Sequence, residues 1–229
     1  MSEQTTLDQT EKQSAEIQQS EQKQPVTFKS ILCDFLDVAE VVPITFFVFL
    51  LLYAYLLVPV TVDGGSMNPT LYNNDKILLL DNFYHPKNGN IVVIDDKEGA
   101  LFTDAEQTTL TTTNGLGIVL VKRLIAKGGQ EINIDFEHGT VAVDGQQLLE
   151  PYTAAYELPM RNDQAFSYPF TVPEGYVFVM GDNRNGSTDS RNPGVALVPE
   201  DQIIGTAFLR YDRDAEYTVK WYDRFAWLL

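Results

Sequence analysis

Apolar and polar positions follow four different rhythms along the chain, and each change of rhythm marks a boundary. Residues 1–25 are mostly Glu, Gln, Ser, Thr and Lys with almost nothing to bury. They predict a disordered tail, because they cannot offset the entropy of folding. From Val26 apolar residues recur at spacings of three and four. Phe28, Ile31, Leu32, Phe35, Leu36 and Ala39 share one helical face, and Lys29, Asp34, Asp37 and Glu40 take the other. This predicts an amphipathic lead-in over 26–40, lying along a membrane surface. The twenty residues from Val41 to Val60 then carry no charge. At about 1.5 Å per residue such a helix spans roughly 30 Å, the thickness of a bilayer core. Pro43 in its first turn and Pro59 at its end are placed where a missing N–H costs little. No Ala-x-Ala cleavage site follows, so a single retained membrane helix is expected over 41–60.

Beyond 60 the rhythm turns to β. Lys76–Leu80, Asn90–Ile94, Gly117–Val121, Glu131–Ile134, Thr140–Val143 and Tyr176–Met180 are short runs rich in Val, Ile and Leu, mostly bounded by Gly, Asn, Asp or Pro. Val143-Asp144-Gly145-Gln146 predicts a tight hairpin turn. Residues 95–116 are polar and threonine-rich, and Pro151–Tyr168 is irregular. Both are expected to be long surface excursions on a β scaffold. The end, Trp221 to Leu229, holds two tryptophans and two leucines, which suit packing on the domain or contact with lipid headgroups equally.

Charge narrows the class. The formal net charge is −16, and residues 60–229 alone stand at −11, from 13 basic and 24 acidic side chains. That argues against nucleic acid as a partner and against a basic patch for anionic lipid. Residues 1–40 hold three lysines while 59–75 hold no Lys or Arg, which favours a cytoplasmic N-terminus. The single cysteine, Cys33, precedes the span, so no disulfide forms within the chain and no thiol nucleophile lies beyond it.

Three stretches carry candidate chemistry. In Val62-Asp63-Gly64-Gly65-Ser66-Met67-Asn68-Pro69-Thr70-Leu71, two glycines let another backbone approach the serine, and Pro69 forces a turn beyond it. Ser66 is thus a candidate nucleophile, though a plain Gly-Ser turn reads as well on these residues alone. The only histidines, His85 and His138, fall in turn-like stretches, which disfavours a Ser-His-Asp triad. Lys122 ends the apolar run Val119-Leu120-Val121 and is followed by more apolar residues after Arg123. An unperturbed lysine is neutral in only about one molecule in 2,500 at pH 7, and burial raises that fraction. A snorkelling strand-end lysine is the competing reading. The third stretch, Gly181 to Arg191, has no apolar member. It is no EF-hand loop, because Gly181 and Asn192 stand where ligating carboxylates are required.

Together these stretches resemble the type I signal peptidases, in their short Gram-positive form: membrane-anchored serine proteases that remove signal peptides from exported proteins. The resemblance covers roughly Phe28 to Arg210. It rests on VDGGSMNPTL, NNDKILLLD, NGNIVVI, VKR, VPEGYVFVMGDNRNGSTDSR and VPEDQIIGTAFLR, in that order behind the apolar run. It implies a mainly β, barrel-like catalytic domain over 61–229, outside the cytoplasm, with Ser66 as nucleophile and Lys122 as general base. Ser187 would hydrogen-bond the lysine amine, and Asp189 and Arg191 would brace the site. Val62, Gly64, Gly65, Met67, Val119 and Val121 would bind a preprotein's cleavage region. No metal or cofactor is implied, and a monomer is expected. Two features depart from the family. Ala126-Lys127-Gly128-Gly129-Gln130 replaces a Gly-x-Pro-Gly-Asp turn, and Gly64 stands where some members carry a hydroxyl. The Ser66 N–H is then the only obvious oxyanion donor, and Gly64→Ser is expected to be tolerated. A serine–lysine protease with a regulatory or self-cleaving role and a non-catalytic β-rich surface protein remain as alternatives.

Overall fold

The computed structural model describes residues 39–51, 57–80, 84–153, 158–218 and 220–229. The tail and most of the lead-in lie outside these residues. A helix, α1, runs over 39–51, and every residue of it is exposed, the large apolar ones at 41–63%. No helix among the described residues is long and apolar enough to cross a membrane. The chain separates after Leu51 into two compact units, with all strands in the second.

The helix expected over 41–60 does not reach its end. Residues 57–60 open strand β1 (Leu57–Thr61), paired antiparallel with β2 (Lys76–Leu80). Three of the five residues of Leu-Val-Pro-Val-Thr are β-branched, and Pro59 lacks an N–H, which an edge strand tolerates.

The remaining strands are β3 (Ile91–Phe102), β4 (Leu110–Lys127), β5 (Glu131–Asp135), β6 (Thr140–Val143), β7 (Gln146–Gln147), β8 (Phe170–Thr171), β9 (Tyr176–Met180), β10 (Val198–Pro199), β11 (Ile203–Asp212) and β12 (Ala226–Trp227). The larger sheet runs β1-β2-β11-β3-β4-β9-β10, with β12 also on β11, and the smaller runs β7-β6-β5-β8. Every pairing is antiparallel. β1 and β10 end the larger path without meeting, so the barrel-like expectation gives way to two open sheets.

The polar stretch 95–116 is mostly strand rather than a loop. β3 and β4 continue through it as one long hairpin, with Thr111, Thr112 and Thr113 opposite Leu101, Ala100 and Gly99. Threonine's branched Cβ suits a strand that meets solvent, and such a strand shows no apolar alternation to reveal it. The turn at 144–145 does form, with Asp144 and Gly145 both at positive φ (51° and 73°) as a two-residue hairpin requires. At the other end, β12 ties the C-terminus to β11, yet Trp221 and Trp227 stay 76% and 78% exposed.

One core cluster matters most for the site. Val62, Met67 and Leu71 from the β1–β2 connection pack with Ile77, Leu79, Ile91 and Val93. The connection is therefore anchored through its own apolar residues. Val62 and Met67 are 3% and 1% exposed, so their side chains serve the core and only their backbone is left to meet a substrate.

Candidate active site

The β1–β2 connection closes on itself: Val62 N–H donates to Asp75 O and Asn74 N–H to Val62 O, both at 2.8 Å. Between them Asn68 N–H reaches Gly65 O at 3.2 Å and Leu71 N–H reaches Met67 O at 3.0 Å, which coils the chain and leaves Ser66 half-buried at the bend. Gly64 has φ +88° and gives its N–H to Asn73 Oδ1 at 2.8 Å. A left-handed backbone of this kind favours glycine, so the residue serves chain geometry. A serine there would meet no clash, since nothing stands within 4 Å of a Cβ, but would carry the strain of the left-handed backbone. The Ser66 N–H donates to no acceptor among the described residues.

Lys122 meets Ser66 from β4. Its register partner is Val92 of β3, it is 3% exposed, and its Nζ lies 2.8 Å from Ser66 Oγ in a hydrogen bond. Burial pushes the amine's pKa below the ordinary lysine value. Asp189, Asp96 and Asp182 partly oppose that shift, and Arg191 reinforces it. β3 pairs with β4 on one side, whereas β9 covers only Arg123 to Lys127 on the other. The edge just before the lysine is therefore bare among the described residues. Ile118 and Val119 are 54% exposed there, Leu120 is buried and Val121 is half-buried.

The polar stretch after β9 folds back onto the serine. Asn183 donates its backbone N–H to Ser66 O and its side-chain Nδ2 to Gly65 O, both at 3.0 Å. Gly181 passes so close that a Cβ there would stand 2.5 Å from Ser66 O and 2.2 Å from Ser187 Oγ. Asp182, fully buried, takes two hydrogen bonds from Arg123 (2.7 and 2.6 Å) and one from Thr70 Oγ1 (2.6 Å). Arg123 also lies over the Tyr152 ring at 3.8 Å. One buried carboxylate thus ties the residue after the lysine to the connection that holds the serine.

Asp189 and Arg191 form a buried ion pair, with two hydrogen bonds of 2.8 Å. Burial alone would raise the Asp189 pKa. The Arg191 guanidinium and the Gly181 N–H overrule it and hold the carboxyl below its ordinary value. Arg191 continues to Arg184 O at 2.7 Å, and Arg184 pairs with Glu150. Ser187 departs from expectation. Its buried hydroxyl makes no hydrogen bond of ordinary geometry and lies only near enough to Asp189 to favour that charge. Lys122 Nζ gives its hydrogen bond to Ser66 Oγ rather than to Ser187.

Arg123, Thr70, Asp182 and Asn183 were not singled out from the sequence. The adjacency of Arg123 to Lys122 and the density of polar groups after Met180 were the available signals; Glu150 had none. His85 and His138 are exposed, and His138 Nδ1 pairs with Asp135 at 2.7 Å. Among the described residues no group of three or more His, Cys, Asp or Glu could hold a metal ion. What remains is a serine hydroxyl on a desolvated amine, an arrangement capable of nucleophilic acyl transfer with the amine as proton acceptor.

Residues 35–212 match the family model described as signal peptidase, peptidase S26. Signal peptidase I T of Bacillus subtilis (strain 168) is 31% identical over 181 residues, covering 76% of this chain and 83% of that protein. The probable signal peptidase I-1 of Synechocystis is 36% identical over 167 residues, 71% of this chain and 74% of its own. A solved structure of a signal peptidase I from Enterococcus faecalis V583 aligns with 54% of this chain and 97% of that one, at 25% identity and a TM-score of 0.37. The chain belongs to the signal peptidase S26 family.

Proposed function

We propose that this protein is a membrane-bound serine endopeptidase that removes N-terminal signal peptides from exported preproteins, with Ser66 as nucleophile and Lys122 as general base. The observation that carries this reading is the 2.8 Å contact between Ser66 Oγ and a buried Lys122 Nζ. The neutral amine takes the serine proton as Oγ attacks the scissile carbonyl. The resulting ammonium then protonates the leaving amine, and an acyl-enzyme remains. Water, deprotonated by the same lysine, releases the signal peptide. The unengaged Ser66 N–H is the donor available to the developing oxyanion.

The substrate lies extended along the bare edge at 118–121, beside Gly64 and Gly65. Backbone pairing supplies affinity, and shallow apolar contacts with Val119 and Val121 favour small residues one and three before the cut. Both reacting groups come from one chain, which suits a monomer. The apolar run before β1, with α1 exposing apolar side chains on every face, supports a single-pass anchor that begins at 41. In this reading the N-terminus is cytoplasmic and the β domain lies outside the cytoplasm.

Incubating the detergent-solubilised protein with a preprotein and reading the new N-terminus by mass spectrometry tests the proposal. Cleavage at the signal-peptide junction that disappears in Ser66→Ala is the expected result. Equal cleavage by Ser66→Ala, or none by the wild type, would sink it.

A further inference from the structure

The β3–β4 hairpin contains a buried acid that the reaction above does not use. Asp96 pairs in register with Ile118 and Glu98 with Asn114, so Lys97 alone faces Gly115, Leu116 and Gly117. Two residues are thus in excess on β4, a bulge immediately before the edge at 118–121. Its glycines are needed: a Cβ on Gly115 would stand 2.4 Å from Asp96 O, and Gly117 has φ +67°. The centre of the bulge is held by a side chain, since Leu116 N–H donates to Asp96 Oδ2 at 2.9 Å.

Asp96 is fully buried, it forms no ion pair among the described residues, and its Oδ1 has no hydrogen-bond partner there. The neighbouring Asp95 takes Lys97 at the surface instead. An unpaired buried carboxylate is costly. An alanine or leucine would be cheaper here unless the bulge needed an acceptor at this point. Losing one residue from the bulge would turn every following side chain to the opposite face, and losing both would move them roughly 7 Å along the strand. Either change would disturb the edge that ends at Lys122.

We propose that Asp96 is a positioning residue that pins the 115–117 bulge, and so sets the register of the β4 edge along which the substrate lies. The inference rests on the peptidase reading for its substrate, but the bulge itself does not. Asp96 also acts through charge. The charged groups acting on Lys122 are Asp189, Arg191, Asp96 and Asp182, and the ionised Asp96 favours the protonated amine. Around Asp96 itself stand the Leu116 N–H, Lys122 and Asp95, and burial pushes its carboxyl pKa up.

Asp96→Ala and Asp96→Asn separate the two roles, because asparagine keeps an acceptor for Leu116 and drops the charge. Asp96→Ala should raise KM for a signal-peptide substrate about tenfold, the effect of one lost hydrogen bond, and, since it drops the same charge, should share the pH shift expected of Asp96→Asn. Asp96→Asn should restore KM to within about twofold while moving the acid limb of the kcat/KM profile to lower pH. Hydrogen exchange read by mass spectrometry over 114–121 gives a test that needs no activity: faster exchange in Asp96→Ala, restored in Asp96→Asn. If exchange is unchanged in Asp96→Ala, the pinning role is refuted even if the protein cleaves no signal peptide. If exchange responds but KM does not, the substrate-edge role is refuted.

Discussion

Ser66 and Lys122 arrive at one contact from opposite kinds of support. Lys122 is carried by a strand with β3 along one side and β9 beginning one residue later on the other. Its position comes from the main-chain ladder of a sheet. Ser66 sits in a connection with no ladder of its own, held by buried Met67 and Leu71 beneath and by Asn183 and Gly181 above. A ladder spreads the task of positioning over many equivalent bonds, whereas the serine depends on a few individual contacts. The lysine side should therefore tolerate damage in stability without losing chemistry, and the serine side should lose chemistry first.

The largest effect removes either reacting group. Ser66→Ala and Lys122→Met should each lower kcat by at least about a thousandfold. They should differ in stability: Lys122→Met removes a buried amine and should melt at or above the wild-type temperature. A clear loss of Tm in Lys122→Met would mean that the amine is structurally required.

Next comes Gly181→Ala. Its methyl would overlap Ser66 O and Ser187 Oγ, and moving a reacting serine by about 1 Å can cost on the order of a hundredfold in rate. Wild-type kcat in this variant would show that the serine connection is more compliant than described.

A matched pair sharpens the contrast. Asn183→Ala removes the side-chain bond to Gly65 O on the serine side and should cost about 1 kcal/mol in stability with a severalfold drop in kcat. Val92→Ala, directly opposite Lys122 and fully buried, should cost about 2 kcal/mol through its cavity yet leave kcat within about twofold. Denaturant melts and peptide kinetics on both proteins check this; the reverse ranking in kcat would break the comparison.

The smallest effect is at Gly64. Nothing stands within 4 Å of a Cβ there, so the obstacle is φ +88° alone. Gly64→Ser should cost about 1–2 kcal/mol, with a modest fall in kcat. A serine variant as stable as the wild type would return the position to the hydroxyl argument made from the sequence.

The two reacting residues were legible because each announces itself locally, as a serine after two glycines and a lysine closing an apolar run. The network between them was not. Arg123 and Asp182 lie 59 residues apart, Thr70 and Asp182 112, and Asn183 and Gly65 118. With 32 acids and 16 bases in the chain, no local pattern says which pair. The long hairpin was missed because threonines facing solvent on both sides leave no apolar alternation. The helix end was misplaced because the pleat at 57–60 is as apolar as the run before it. That the side chains of Val62 and Met67 turn into the core was not legible either, because adjacency to Ser66 says nothing about which way a coiled connection turns its side chains.

The central claim is that Lys122 is neutral enough to serve as base because it is buried. Titration of its ¹³C-labelled ε-carbon by NMR, assigned by disappearance of the signal in Lys122→Met, measures this directly. An apparent pKa below 10.5 is expected. Stability should then rise with pH between that value and 10.5, because in this window the unfolded chain binds the proton more readily than the folded one. A lysine titrating at or above 10.5 in the folded protein would contradict the account.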